Sequence, residues 1–516
     1  MVMEPSQTAT RPSRLRCTTD LLLLVIGLIA VEIALVNFGL INFELGTRHD
    51  NINSDGIPQP STLKKENARI PDGTFNGNPI YYHEKSTKEK EVYSSVHCVG
   101  ENYNKKWSWM HRSCHYSFLC FDTKEKDFVV FQEPKEKERL KHFNKLPMLD
   151  ASQSSLRYNA HNNSVSLGGV NLKWTLKADG VPRLKWSPRI LEAAPLSFYT
   201  LPEDIVLVPF HSLSGSNPGH LVWDDFLPVY TLLGIFQLLD NKEPLMLRHT
   251  LPDGRGLWGS CDFRNEKKAA CQAMHEKFYT MMNQNNNSMF TTNVLAQFNV
   301  TTPDPKSHLV CARHGVAGIG SLTDHGTKKT HGWEPADYTS THNHGRGGLF
   351  WNFRLFAMKN VGVVDEPMTA PYRIVFSLES SALTRKMNFK TQIKLLENAF
   401  DPKEVVVESY TFKDYSLKQQ IEIASRASIF ITGCGGGAVT ATFLPRGASV
   451  FLYYFDNGGV VSNRHTNTPA RLDWDLFNNL GYLRVHWITR LLSPGEEAEV
   501  LLNMVEHELE VIKRGV

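Results

Sequence analysis

No Cys-x-x-Cys pair, no Gly-Lys-Ser/Thr phosphate loop and no His-Glu-x-x-His helix occurs in the 516 residues of this chain. The first absence removes the usual zinc and thioredoxin-type spacings. The second and third remove a P-loop nucleotidase and the commonest zinc proteases. Net charge is scarce as well. The formal value of +3 is too small to draw the chain to nucleic acid or to an anionic surface. Charges are interspersed, apart from a Lys/Glu-rich patch in the first fifth, and no internal repeat is present. Hydrophobic residues make up 41% and charged residues 21%, the balance of an ordinary folded chain. At roughly 100–200 residues per domain, the length calls for two or three domains.

Long apolar runs are also missing, with one exception. Leu21 to Ile41 reads LLLLVIGLIAVEIALVNFGLI, and about 20 such residues span a bilayer core as a helix. The run exceeds a signal-peptide core, and the residues before Ala34 are Glu32 and Ile33 rather than a small-residue cleavage site. Arg11, Arg14 and Arg16 precede it and Glu44 follows, so positive-inside bias leaves the N-terminus in the cytosol. Glu32 costs about 2.5–3.5 kcal/mol at mid-membrane, which the neighbouring Leu, Ile and Val offset. The expectation is a cytosolic tail (1–20), a single signal anchor (21–43) and a flexible, polar stem (44–92). The rest then lies in the lumen of the Golgi or the endoplasmic reticulum, as a type II membrane protein. Sequons at Asn162, Asn286 and Asn299 agree with that compartment. So do cysteines at the close spacings Cys114/Cys120 and Cys261/Cys271, which suit disulfides. Seven cysteines follow the anchor; the odd number leaves one thiol over, and Cys434 is the candidate.

Beyond the stem, residues 93–370 mix short strands with two helical stretches. Asp204–Phe210, Glu243–His249 and His308–Ala312 read as strands, and Asn163–Leu167 with Leu172–Trp174 as a hairpin. Pro218–Leu239 reads as one helix, with Trp223, Phe226, Leu227, Tyr230, Leu233 and Phe236 at three- and four-residue intervals. Residues 371–490 alternate short apolar strands with helices, the pattern of a parallel sheet covered on both faces. Residues 491–516 form a closing amphipathic helix. The fold class expected is α/β, with two Rossmann-like domains facing a cleft after an N-terminal transmembrane helix.

Chemistry concentrates in Ile429–Leu444, IFITGCGGGAVTATFL. A buried strand ends in glycines that open into a helix. Gly433, Cys434, Gly435, Gly436 and Gly437 let the backbone approach a ligand, and a helix N-terminus presents unpaired N–H groups suited to phosphate. The same letters also make a tight strand-to-helix turn with no ligand. A second candidate is His220 with Asp224 and Asp225. Positions 220 and 224 lie one helical turn apart, so a carboxylate can orient the imidazole as a general base. First-turn carboxylates on a helix dipole are the plainer reading. A Gly/Asp/Thr-rich stretch holds His325, His331, His342, His344 and Arg346. It has no matching carboxylate set for a metal, and reads as a loop over a cleft with Trp333 as a sugar-stacking platform, or as an ordinary surface loop.

The run Phe412–Phe455, FKDYSLKQQIEIASRASIFITGCGGGAVTATFLPRGASVFLYYF, resembles the C-terminal half of glycosyltransferase family 61. Asn217–Asp225 is similar to that family's NxxHxxxD element, Leu309–Gly320 to its strand and glycine loop, and Arg373–Glu397 to a strand and cation-bearing loop. The resemblance implies a GT-B-type fold, inversion at the sugar carbon, and a nucleotide-sugar donor of the xylose or N-acetylglucosamine type. It implies a glycan or glycoprotein acceptor and no cofactor or metal. Arg385 or Lys386 would face the donor phosphates. Thr432-Gly433-Cys434 stands where the family carries His-Gly-Ala, so no histidine role transfers to the loop. An inactive lumenal relative that binds glycan or nucleotide is the second reading.

Overall fold

In the computed structural model, the residues described are 81–84, 92–99, 112–131, 165–171, 183–192, 194–195, 197–210, 217–240, 242–248, 268–283, 307–318, 347–378, 388–454, 476–489 and 494–515. The expected tail, anchor, most of the stem and the sequons at Asn162, Asn286 and Asn299 lie outside them. Among the described residues no helix is long and apolar enough to cross a membrane.

A nine-stranded sheet gathers β1 (Tyr81–Glu84), β2 (Ser95–Val99), β3 (Ser113–Asp122), β4 (Asp127–Phe131), β7 (Arg189–Leu191), β8 (Ser197–Thr200), β9 (Ile205–Phe210), β10 (Glu243–Arg248) and β11 (Leu309–Gly318). A separate two-stranded sheet pairs β5 (Val165–Asn171) antiparallel with β6 (Arg183–Trp186); residues 172–174, expected as the second arm of a hairpin, lie outside the described residues. The large sheet is mixed. Strand β11 runs parallel to β8 and β9 and antiparallel to β3, while β3 pairs antiparallel with β2 and β4. Among the described residues, this sheet is therefore mixed rather than all-parallel. Parallel neighbours need a long crossover, whereas β3 and β4 are joined by the turn at residues 123–126. Asp122 fixes that turn by accepting the N–H groups of Lys124 and Glu125, each at 3.0 Å. Lys126 closes it with φ of 53°.

The disulfides follow the sheet rather than the spacing in sequence. Cys98 is bonded to Cys114 across β2/β3, and Cys120 to Cys311 across β3/β11. Cys114 and Cys120 share strand β3, where six residues at about 3.3 Å each separate them by far more than a disulfide's reach of about 7 Å. Cys271 is disulfide-bonded; Cys261 lies outside the described residues. Cys434 is buried and outside any disulfide.

The second sheet has five strands: β12 (Tyr372–Ser377), β13 (Val405–Tyr410), β14 (Ile429–Gly433), β15 (Ser449–Tyr454) and β16 (Arg484–Thr489). All neighbours are parallel, in the order β13-β12-β14-β15-β16. Its faces follow strand alternation. Val375, Phe430, Val450 and Leu452 face α1 (Leu227–Ile235), α3 (Gly347–Val361) and α5 (Leu417–Ser425). Ile374, Phe376, Ile429, Ile431 and Phe451 face α4 (Lys390–Ala399) and α6 (Pro494–Lys513). Helix α5 starts at a capping box between Ser416 and Gln419, which satisfies two N–H groups the helix would otherwise leave open. Helix α6 is tied down where Glu508, buried, takes Ser449 Oγ and Arg484 Nε at the starts of β15 and β16.

The first face shares its core with the large sheet. Val206, Val208, Met246 and Val316 belong to the same buried cluster as Phe350, Ile421 and Phe430. One layer of helices, with α2 (Lys268–Tyr279) at its border, serves both sheets.

Candidate active site

Strand β14 lies mid-sheet between β12 and β15. From β12 the chain steps to β13 on one side and to β14 on the other, so the order reverses between β12 and β14. In open parallel sheets, ligands settle at such a point, outside the strand C-termini. The glycine loop leaves β14 there. Cys434 donates its N–H to Tyr453 O at 2.9 Å and so still belongs to the sheet. Gly435 turns the chain with φ of 127°, a conformation that costs glycine little. The helix that follows, Gly436–Phe443, is 3-10 rather than α. Its first bond runs from Ala438 N–H to Gly435 O at 2.8 Å. The N–H groups of Gly436 and Gly437 precede that bond, where a helix presents open donors.

Of the five loop residues expected to bind donor, Gly433, Cys434 and Gly435 are buried, while Gly436 and Gly437 reach the surface. Cys434 joins the apolar cluster beneath the sheet.

The segment expected as one helix from Pro218 splits in two. His220–Phe226 is a π-helix, in which Leu227 N–H bonds back to Val222 O, five residues earlier. Helix α1 then begins. Pro228 has no N–H to offer Asp224 O in an α ladder, so the regular pattern starts with proline in its first turn, where proline is tolerated. Single π turns recur at functional sites. Here the turn carries His220, whose Nδ1 is hydrogen-bonded to Asp224 Oδ2. The histidine side chain is 13% exposed and the aspartate 1%. Asp225 is buried beside it.

The two elements meet. Asn217 Oδ1 caps the helix start by accepting Gly219 N–H at 2.9 Å. A Cβ added to Gly219 would lie 3.1 Å from Gly436 Cα, and one added to Gly436 would lie 2.2 Å from Asn217 Oδ1. Only glycine allows this approach. Further along, Trp223 Nε1 donates to Thr442 Oγ1 at 3.2 Å. Tyr482 Oη donates to Thr442 O at 2.6 Å, and buried Arg354 donates to Phe443 O at 3.2 Å. The glycine helix is therefore held at both ends. The sequence points to Asn217, His220, Asp224 and the glycines, but marks Trp223 as core and gives no role to Thr442 or Arg354. The Asn at a helix start was the available signal for a cap.

Arg385 and Lys386 lie outside the described residues, as do Trp333, His344 and Arg346. Among the described residues, no three His, Cys, Asp or Glu side chains gather as metal ligands.

A second titratable cluster sits on the large sheet. His115 Nε2 lies 3.0 Å from His314 Nδ1, with the rings stacked at 5.2 Å. Phe236 packs against His115 at 5.7 Å and His97 at 6.3 Å. Burial, then the neighbouring histidines, lower His115 to about 4. Burial, then Lys242 and Arg313, lower His314 to about 4 against the opposing Glu203.

No family model matches the chain. A curated relative, protein O-linked-mannose beta-1,4-N-acetylglucosaminyltransferase 2 of Bos taurus, is 24% identical over 344 residues. The chain is similar to a glycosyltransferase. The alignment takes in 66% of this chain and 49% of the relative, so the chain spans about half the length of that protein.

Proposed function

We propose that the chain is a glycosyltransferase, moving a sugar from a nucleotide-sugar donor to a glycan or glycoprotein acceptor with inversion at the anomeric carbon. One observation carries the reading. The His220–Asp224 pair and the open N–H groups of Gly436 and Gly437 meet at the strand-end position where parallel sheets take ligands. The bovine relative's name agrees in reaction class and favours N-acetylglucosamine over xylose as the transferred sugar. The wider proposal is a GT-B-type enzyme, anchored as a single-pass type II protein in the Golgi or the endoplasmic reticulum.

In this scheme Asp224 accepts the Nδ1 proton of His220, which fixes the tautomer and leaves the lone pair on Nε2. Nε2 takes the proton of the acceptor hydroxyl as its oxygen attacks the anomeric carbon. The bond from that carbon to the diphosphate oxygen breaks, and its electron pair leaves with the nucleotide. The N–H groups of Gly436 and Gly437, with Arg385 or Lys386, would stabilise the departing charge without a metal.

The test is a screen of nucleotide sugars against the full chain, measuring hydrolysis and transfer with and without a chelator. Turnover of one donor, unchanged by chelation, is the expected result. The replacement of His-Gly-Ala by Thr432-Gly433-Cys434 favours a second reading, an inactive binding relative. Donor binding in a thermal-shift assay without turnover on any acceptor would select it.

A further inference from the structure

We infer that Trp223 and Thr442 are positioning residues that set the spacing between the His220–Asp224 pair and the glycine helix; the inference rests on the transferase reading above. Trp223 directly precedes Asp224 within the π turn. Its indole is 2% exposed, with its edge against Phe477 at 5.5 Å. Its N–H reaches Thr442, a fully buried residue 219 positions away in sequence. Thr442 belongs to the same short helix as Gly436 and Gly437. The bond therefore joins the element that would move the proton to the element that would hold the diphosphate.

Two contacts define how these helices lie together. At the start, Gly219 rests on Gly436 backbone to backbone. Such a contact sets a distance of approach but leaves rotation open. Farther along, the Trp223–Thr442 bond is directional, and it fixes rotation. Thr442 cannot shift to meet a displaced Trp223, because Tyr482 holds its carbonyl and Arg354 holds the next one. The apolar side chains around them pack without direction and supply no substitute. A π turn adds a reason for needing such a strut. Its bonds close over five residues rather than four, so its side chains take a bearing different from that of an α turn, and an outside reference keeps it fixed. Mispositioning by about 1 Å costs roughly a hundredfold in rate, which is the scale on which this bond would act.

The experiment uses the full chain and its transferred donor, with Trp223→Phe, Thr442→Val, Thr442→Ser and the Trp223→Phe/Thr442→Val double variant. For each, kcat, donor KM and the melting temperature are measured. Trp223→Phe and Thr442→Val should each lower kcat by about tenfold or more, with donor KM within about twofold. The double variant should be no slower than the slower single, because both remove one bond. Thr442→Ser, which keeps the hydroxyl, should hold wild-type kcat. If the two single variants melt lower yet turn over at the wild-type rate, the residues are structural only and the inference is overturned. Losses that multiply in the double variant overturn it as well, because the residues then act separately. A wild-type chain that turns over no donor removes the transferase reading, and this inference with it. Turnover by the wild type makes any failure belong to the inference alone.

Discussion

Gly436→Ala tests the meeting of the two elements most directly. The added methyl would sit 2.2 Å from Asn217 Oδ1, about 1 Å inside the closest approach such atoms tolerate. Either Asn217 or the glycine helix must move. Overpacking of this kind costs about 1–3 kcal/mol. If Asn217 gives way, Gly219 loses its 2.9 Å cap, which adds about 1 kcal/mol. In a chain of this size that lowers the melting temperature by several degrees at most. Activity should suffer more, since about 1 Å of misplacement is worth roughly a hundredfold. The assay is kcat/KM for the donor beside a thermal melt. Asn217→Gly in the same chain removes the obstructing oxygen and should return part of both quantities. Gly348→Ala is the control: its Cβ would meet nothing within 4 Å, and in a helix the change is neutral or mildly stabilising. Wild-type turnover and melting in Gly436→Ala would refute the contact and the site built on it.

Asp224→Asn should lower kcat by about 10²–10⁴-fold through loss of the base's orientation, with donor KM little changed; steady-state kinetics checks both. The His115/His314 pair makes stability depend on pH. Both groups are lowered from about 6.5 to about 4, so the unfolded chain binds protons that the folded chain refuses across that window. Stability from the pair is therefore full above pH 6.5 and falls as pH drops towards 4. His97, Lys242, Arg313 and Glu203 surround the pair and share in the effect. Denaturant melts should show a shallower acid slope in His115→Gln. Burial would raise Glu508, yet Arg484, Ser449 and His486 bring it below its ordinary value. Its contribution is thus present above pH 4.5 and fades in stronger acid. Glu508→Gln leaves Arg484 without its carboxylate and should destabilise by about 3–5 kcal/mol, seen as a lower denaturation midpoint at neutral pH.

Much of the C-terminal sheet is legible in sequence because its signals are local. IFITG and SVFLYY are apolar runs bounded by helical periodicity, and buried parallel strands look like that. The large sheet is not legible in the same way. Whether β3 pairs parallel or antiparallel is decided by the turn after Asp122, and its disulfides by strand register rather than by spacing in sequence. The His220–Asp224 pair was readable as an i, i+4 relation on one helix. Its meeting with Gly436 was not, because packing alone brings together segments more than 200 residues apart. Trp223 shows the limit well. Its spacing marks it as core, and it is core; its indole N–H is what sequence periodicity cannot see.

The helical layer shared by the two sheets has a mechanical consequence. Enzymes that close on a substrate by swinging one lobe against another need a seam of weak contact to swing about. Here the same greasy stratum, from Val206 through Phe350 to Phe430, is glued to both sides, and prising it apart would bare a core to water. The body should therefore melt in one transition. Were the chain to take a nucleotide-sugar donor as proposed, release kinetics should respond to changes at the strand-end loop Gly435–Gly437 while remaining indifferent to the sheets.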